Sequence, residues 1–117
     1  MKMLYHIAKS VDWIDAQANG KYEVSTLGKN LSQVGYIHLS FAHQVKKVAD
    51  SVYHGVDDLV LLKINPDNLK SLVRIENALG TAEKFPHLYG PLDLEAVDEV
   101  NAYNVLDDGT FQNVDAE

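Results

Sequence analysis

The chain opens on Met3-Leu4-Tyr5-His6-Ile7, a short apolar and aromatic run that predicts a strand. Ser10 stands where it would cap a helix from Val11 to about Ala18, with Asp12 near the positive end of the dipole and Gly20 beyond its end. Trp13, Ile14 and Ala18 are expected to face inward. Residues 21–34 hold a short extended piece and a polar loop, Ser25 to Asn30, the best candidate for a mobile lid. Gly35-Tyr36-Ile37-His38-Leu39-Ser40 reads as a second strand running into a helix capped by Ser40. Along that helix Val45, Val48, Ala49, Val52 and Tyr53 recur at helical spacing, and Gly55 ends it.

Leu59 to Ile64 is almost unbroken apolar sequence, the pattern of a strand covered on both faces. Asn65-Pro66-Asp67 turns the chain, and Leu72 to Glu76 alternates, with Val73 and Ile75 opposite Arg74 and Glu76. A loop follows. Phe85 to Leu92 is too rich in breakers to predict an element of its own. Val97 to Val105 predicts a last strand, preceded by one helical turn from Asp93. One domain is expected over residues 1–106, followed by an acidic tail over 107–117 that frays. Two main helices and several strands in irregular order predict an α+β domain, its helices packed on a curved, mostly antiparallel sheet.

Composition narrows the chemistry. The 117 residues include no cysteine, which removes disulfides, thiol nucleophiles and thiolate metal sites and fits a cytoplasmic location. No apolar run approaches the roughly 20 residues that span a bilayer. Ten Lys and Arg face 17 Asp and Glu, for a net charge of −7, and Arg74 is the only arginine. Without a basic cluster, neither general nucleic-acid binding nor membrane binding is expected. A small anionic partner is still compatible, because backbone amides and a few side chains suffice for one phosphate. No phosphate-cradling glycine motif exists, since Gly28, Gly35, Gly55, Gly80 and Gly90 are scattered.

Five histidines stand at positions 6, 38, 43, 54 and 87. Alternation puts His6 on the face of Leu4, and His38 on the face of Tyr36 and Ser40. If those strands are neighbours, both imidazoles aim into one cleft, where a group titrating near pH 6.5 donates, accepts or shuttles a proton. The plainer alternative is a pair of satisfied, partly buried histidines. His43 and His54 lie on or near the second helix and are expected to face solvent without a role. His87 sits in a proline-flanked segment beside Tyr89 and Gly90, either a functional loop or a rigid corner whose Phe85 and Tyr89 plug the core. Glu76 and Arg74 share a strand face. Glu76 would stabilise a ribosyl cation and Arg74 would bind a phosphate, or the two form an exposed ion-paired edge. Nothing in the spacing of His6, His38 and His87 demands a metal, so no metal site is assigned.

Leu4-Tyr5-His6-Ile7, Gly35 to Ser40, Asp58 to Leu62 and Phe85-Pro86-His87-Leu88-Tyr89-Gly90-Pro91-Leu92 together resemble the bacterial family catalogued as Domain of Unknown Function 952, over about residues 3–105. The last motif is the most specific. A remoter resemblance joins a Tyr-His strand, a helix and a His-Leu-Ser strand to the NAD-using RNA 2′-phosphotransferases and the ADP-ribosyltransferases. It implies an ADP-ribosyltransferase-like fold and, for His6, contact with the adenosine-side ribose of NAD; the histidine of the His-Leu-Ser strand maps onto His38. The phosphotransferase pattern places an arginine and a histidine where this chain has Val34 and Tyr36. With one arginine in all, RNA 2′-phosphotransfer is disfavoured. The transferase glutamate has no clear counterpart, and Glu76 is the nearest stand-in.

The expectation is therefore a cleft for NAD or another ADP-ribose-like nucleotide, with ADP-ribosyl transfer or NAD glycohydrolysis as its chemistry. Its alternatives are a non-catalytic binding or regulatory module and, less favoured, a metal-dependent hydrolase built on the three histidines. His6 would orient the ribose, and His38 and Tyr36, with Ser40 at the end of their strand, would line the nicotinamide side. Arg74 would hold phosphate, His87 and Tyr89 would close the pocket, and Glu76 would face the anomeric carbon.

Overall fold

The computed structural model describes residues 2–77 and 82–114. Strand β1 (Leu4–Lys9) feeds directly into helix α1 (Ser10–Asn19). The N-cap is Lys9, so Ser10 is the first helical residue and not the cap; its N–H donates to the Asp58 carbonyl at 2.8 Å. Gly20 closes the helix in the left-handed region at φ 82°, its N–H on the Ala16 carbonyl. Trp13 and Ala16 are buried, whereas Ile14 is 62% exposed and Ala18 is also outside. Spacing of three residues selects Trp13 and Ala16 for one face and turns their apolar neighbours to solvent.

The polar stretch expected as a lid forms a hairpin, β2 (Val24–Thr26) with β3 (Lys29–Asn30), turned at Gly28 with φ 74°. One helical turn, α2 (Leu31–Val34), follows, with the Asn30 N–H donating to Gln33 Oε1 at 2.8 Å. Then come β4 (Ile37–His38) and α3 (Ala42–Val52). Here too the serine is not the cap. Phe41 holds that position, its N–H on Gln44 Oε1 at 3.0 Å. Ser40 instead exchanges two 2.8 Å backbone bonds with Tyr5. Val45, Ala49 and Tyr53 are buried as the spacing predicts, and Val52 is turned out.

The second half supplies β5 (Leu59–Ile64), β6 (Leu72–Asn77), β7 (Lys84–Tyr89) and β8 (Val97–Ala102). The helical turn expected before β8 is a 3₁₀ turn over Leu94–Ala96 with Asp93 at its cap. All pairings are antiparallel, but the single curved sheet expected is two three-stranded sheets, β1-β5-β8 and β4-β7-β6, whose backbones meet at the Tyr5–Ser40 bridge. β5 is covered on both faces as predicted. Val60, Leu62 and Ile64 pack in a cluster with Trp13, Tyr22 and Leu88, while Leu59 and Leu61 pack in another with Val45, Tyr53 and Phe111.

Two expectations fail for physical reasons. The segment judged too broken for an element holds β7, the centre of its sheet. The Pro86 carbonyl accepts the Leu39 N–H at 3.0 Å, and the proline has no N–H to return. The ladder with β4 therefore stops at His38, and the missing donor falls where the partner strand ends. The tail does not fray at Asp107 either. Phe111 is buried, stacks on Tyr103 at 5.0 Å, receives Lys46 Nζ on its carbonyl at 2.9 Å and donates its N–H to Asp50 Oδ1 at 2.8 Å. Residues 115–117 of that tail, and residues 78–81 of the loop expected after Glu76, lie outside the described residues. Among those described, no helix is long and apolar enough to cross a membrane.

Candidate functional site

A cleft of about 590 Å³ opens where α3, the β2–β3 hairpin and the join between β1 and β4 meet. His6, His38 and Ser40 line it from the strands, Lys29 from the hairpin, Lys47 from α3, and Glu83 from just before β7. His6 is buried, with Nδ1 2.6 Å from the His38 carbonyl and Nε2 2.8 Å from the Tyr22 hydroxyl. A carbonyl only accepts, so Nδ1 carries the hydrogen; neutral His6 then accepts from the tyrosine at Nε2. Burial lowers its pKa from 6.5 to about 4, against the opposing pull of the His38 carbonyl, so the ring is neutral at physiological pH. Both nitrogens are engaged inside the protein. The ribose contact implied by the resemblance would require one of those bonds to break.

His38 is half-buried and presents the more available imidazole. Its pKa lies below 6.5, first through burial and then through the nearby His87 and Lys29. Its ring stands nearly perpendicular to Tyr36 at 5.0 Å and to His87 at 5.3 Å. At the rim, Lys47 Nζ meets Glu83 Oε1 at 2.5 Å, and Gln44 Nε2 donates to Glu83 Oε2 at 2.9 Å. Those contacts, Lys47 foremost, hold the Glu83 carboxyl below the usual carboxylate range.

A second group shares one face of the β4-β7-β6 sheet. His38 and Arg74 are both register partners of His87, and directly paired residues project to the same side. Tyr36 stacks on His87 at 4.0 Å. His87 is fully buried, its Nδ1 2.9 Å from Glu76 Oε1. The carboxylate only accepts, so Nδ1 again carries the hydrogen, and His87 Nε2 is left buried without a hydrogen-bond partner. The Tyr89 hydroxyl also donates to Glu76 Oε1, and the Arg74 guanidinium lies 5.6 Å from the centre of the Tyr89 ring. Tyr89 first, then His87, depresses the Glu76 pKa.

The structure thus brings His6, His38 and Ser40 to one cleft and sets His87 directly behind His38. Tyr36, Arg74, Glu76 and Tyr89 stand on the neighbouring face without lining the cleft, so His87 and Tyr89 do not close it. Glu76 is tied into the stack beside it. His43 and His54 are exposed, as expected. The sequence reading missed Tyr22, which fixes the His6 ring, and the charged trio Lys29, Lys47 and Glu83. Each is an unremarkable residue in a polar stretch, and only tertiary packing gathers them. A further cavity of about 620 Å³ beside α1 is lined by Asp12, Asp15 and Glu23 against Lys21 alone, which suits an anion poorly. Among the described residues no group of three His, Cys, Asp or Glu is arranged to hold a metal ion.

Residues 7–100 match the family model described as "Protein of unknown function (DUF952)", slightly inside the span of the resemblance. The crystal structure of protein CC0527 from Caulobacter crescentus is similar at a TM-score of 0.81 and 31% identity, covering 94% of this chain and 93% of that one. Its solution NMR structure gives 0.78 and 31%, covering 94% and 91%. No curated protein matches the chain.

Proposed function

We propose, for a chain that belongs to the DUF952 family, a function read from its own cleft: it binds a nucleotide of the ADP-ribose type, with NAD as the candidate. The observation that carries this reading is the meeting of the His38 imidazole, the fixed His6 ring and two lysines in one cavity of about 590 Å³. Such a ligand joins a diphosphate to two riboses and at least one aromatic base. Lys29 and Lys47 suit the diphosphate, with the anion competing against Glu83 for Lys47. A neutral imidazole at His38 can donate to or accept from a ribose hydroxyl. Leu27 and Phe85, also in the lining, offer apolar surface to a base. An ADP-ribosyltransferase-like fold belongs to the same reading and is supported by the strand-borne histidines that carry the resemblance.

Binding is the primary reading because Glu76, the carboxylate first expected to face the anomeric carbon, is tied to His87 and Tyr89. A second reading, NAD glycohydrolysis, is favoured by one observation: Glu83 places a carboxylate in the same cleft as His38. In that reaction the nicotinamide C–N bond breaks with its electron pair leaving on nicotinamide, and water adds to the ribosyl cation and releases a proton. NMR titration with NAD tests both. Saturable shifts at His38, Lys29 and Lys47, weakened at least tenfold in Lys29→Glu, support the nucleotide site. Nicotinamide released over the same hours, and lost in Glu83→Gln, supports hydrolysis. Absence of any shift with millimolar NAD or ADP-ribose overturns the proposal.

A further inference from the structure

β6 is the last strand of the β4-β7-β6 sheet, and its outer edge pairs with no other strand among the described residues. Register shows which of its groups are free. Pro86 directs its carbonyl toward Leu39, so Phe85, His87 and Tyr89, alternating with it, direct theirs toward β6. Their partners Glu76, Arg74 and Leu72 therefore spend their backbone groups on β7, and Val73 and Ile75 point theirs away from the sheet. Natural edges are usually blunted by proline, lysine or a bulge. β6 has none of these and leaves Leu72 58% and Ile75 55% exposed.

We infer that β6 is a homodimerisation edge, pairing antiparallel with β6 of a second copy about a two-fold axis through Ile75. Charge selects both the partner and the register. With the axis at Ile75, the two Ile75 residues exchange backbone hydrogen bonds, and Arg74 of each copy stands opposite Glu76 of the other. An axis at Arg74 would oppose two arginines, one at Glu76 two carboxylates, and one at Val73 would set Arg74 against Leu72 and match no charges within the strand. The glutamate is suited to the role, since both of its internal bonds use Oε1 and leave Oε2 for the guanidinium across the axis. Of the other two long edge strands, β1 is bridged to Ser40 at Tyr5, and β8 carries Asp98 and Glu99 with no cation and has no such self-complementarity.

Sedimentation equilibrium of the whole chain tests this. The wild type is expected at twice the 13.0 kDa chain mass at high concentration. Ile75→Lys and Ile75→Asp each put like charges against each other at the axis and should sediment as single chains with unchanged circular dichroism. Mixing the two variants should restore the doubled mass, because opposite charges then meet. A wild type at single-chain mass throughout its soluble range overturns the inference. So does an Ile75→Lys variant that stays dimeric, or a mixture of folded variants that fails to recombine.

Discussion

Replacing Tyr22 by phenylalanine deletes one hydroxyl and nothing else. The tyrosine ring packs edge-on to His6 at 5.2 Å and near Trp13 at 6.3 Å, and phenylalanine keeps both contacts. What disappears is the donor 2.8 Å from His6 Nε2 in a site where both residues are nearly fully buried. A buried acceptor left unsatisfied costs about 1–3 kcal/mol, more than the bond's net contribution, because the group was stripped of water on folding. At roughly 2.1 cal/mol/K of unfolding entropy per residue, that loss lowers Tm by about 4–12 °C for a domain of this size. Urea unfolding at neutral pH, followed by circular dichroism, measures it directly. Tyr103→Phe is the control: its hydroxyl donates to the Gln112 carbonyl at 2.8 Å, where Gln112 is exposed and water can replace the donor. The reasoning is refuted if Tyr22→Phe costs less than about 0.5 kcal/mol, the range of an ordinary surface change, or if the control costs more.

Acid should destabilise the fold through His6. Its folded pKa of about 4 lies below the unfolded 6.5, so the unfolded chain takes up the proton first. The full contribution is present above pH 6.5 and is lost as pH falls toward 4, a change of roughly 3 kcal/mol at 1.36 kcal/mol per unit. His38, also lowered, adds to the same slope, and urea midpoints that stay flat across this window would contradict the burial of both rings. Gly90→Ala should cost about 1–3 kcal/mol by overpacking, because the new Cβ would sit 2.0 Å from Ser71 Oγ and 2.6 Å from Ser71 Cβ. Combining it with Ser71→Gly should restore the urea midpoint. Phe111→Ala should cost about 3–5 kcal/mol, a loss that a frayed tail would not show.

Where one period dominates, the sequence reading and the structure agree. β1 and β5 are legible as short apolar runs, and β6 and α3 because their apolar positions recur at two and at three to four residues. Trp13 and Ile14 show the limit of the same signal: both are bulky and apolar, and only the core's position tells which is inside. β7 was hidden because Pro86 is a breaker in general and harmless where its partner strand has ended. Serines 10 and 40 suit a helix cap in composition, yet the chain turns one residue away from each. Phe111 was masked by the acidic residues around it. At the site, His6 and His38 were legible from strand alternation. Tyr22, Lys29, Lys47 and Glu83 were not, because Lys29 and Lys47 arrive on separate elements, Tyr22 and Glu83 on the segments before β2 and β7, and no local spacing links them.

The bond from His6 Nδ1 to the His38 carbonyl carries a last consequence. Together with the paired backbone bonds of Tyr5 and Ser40, it stitches the two sheets to each other, and the cleft lies directly over that line. His6 is thus a staple whose removal lets the walls of the cavity drift apart. A scan replacing the histidines one at a time would score His6 as indispensable even if no ligand atom ever came near it. Substitutions at His38 would test the proposed recognition, and those at His6 would report first on carpentry.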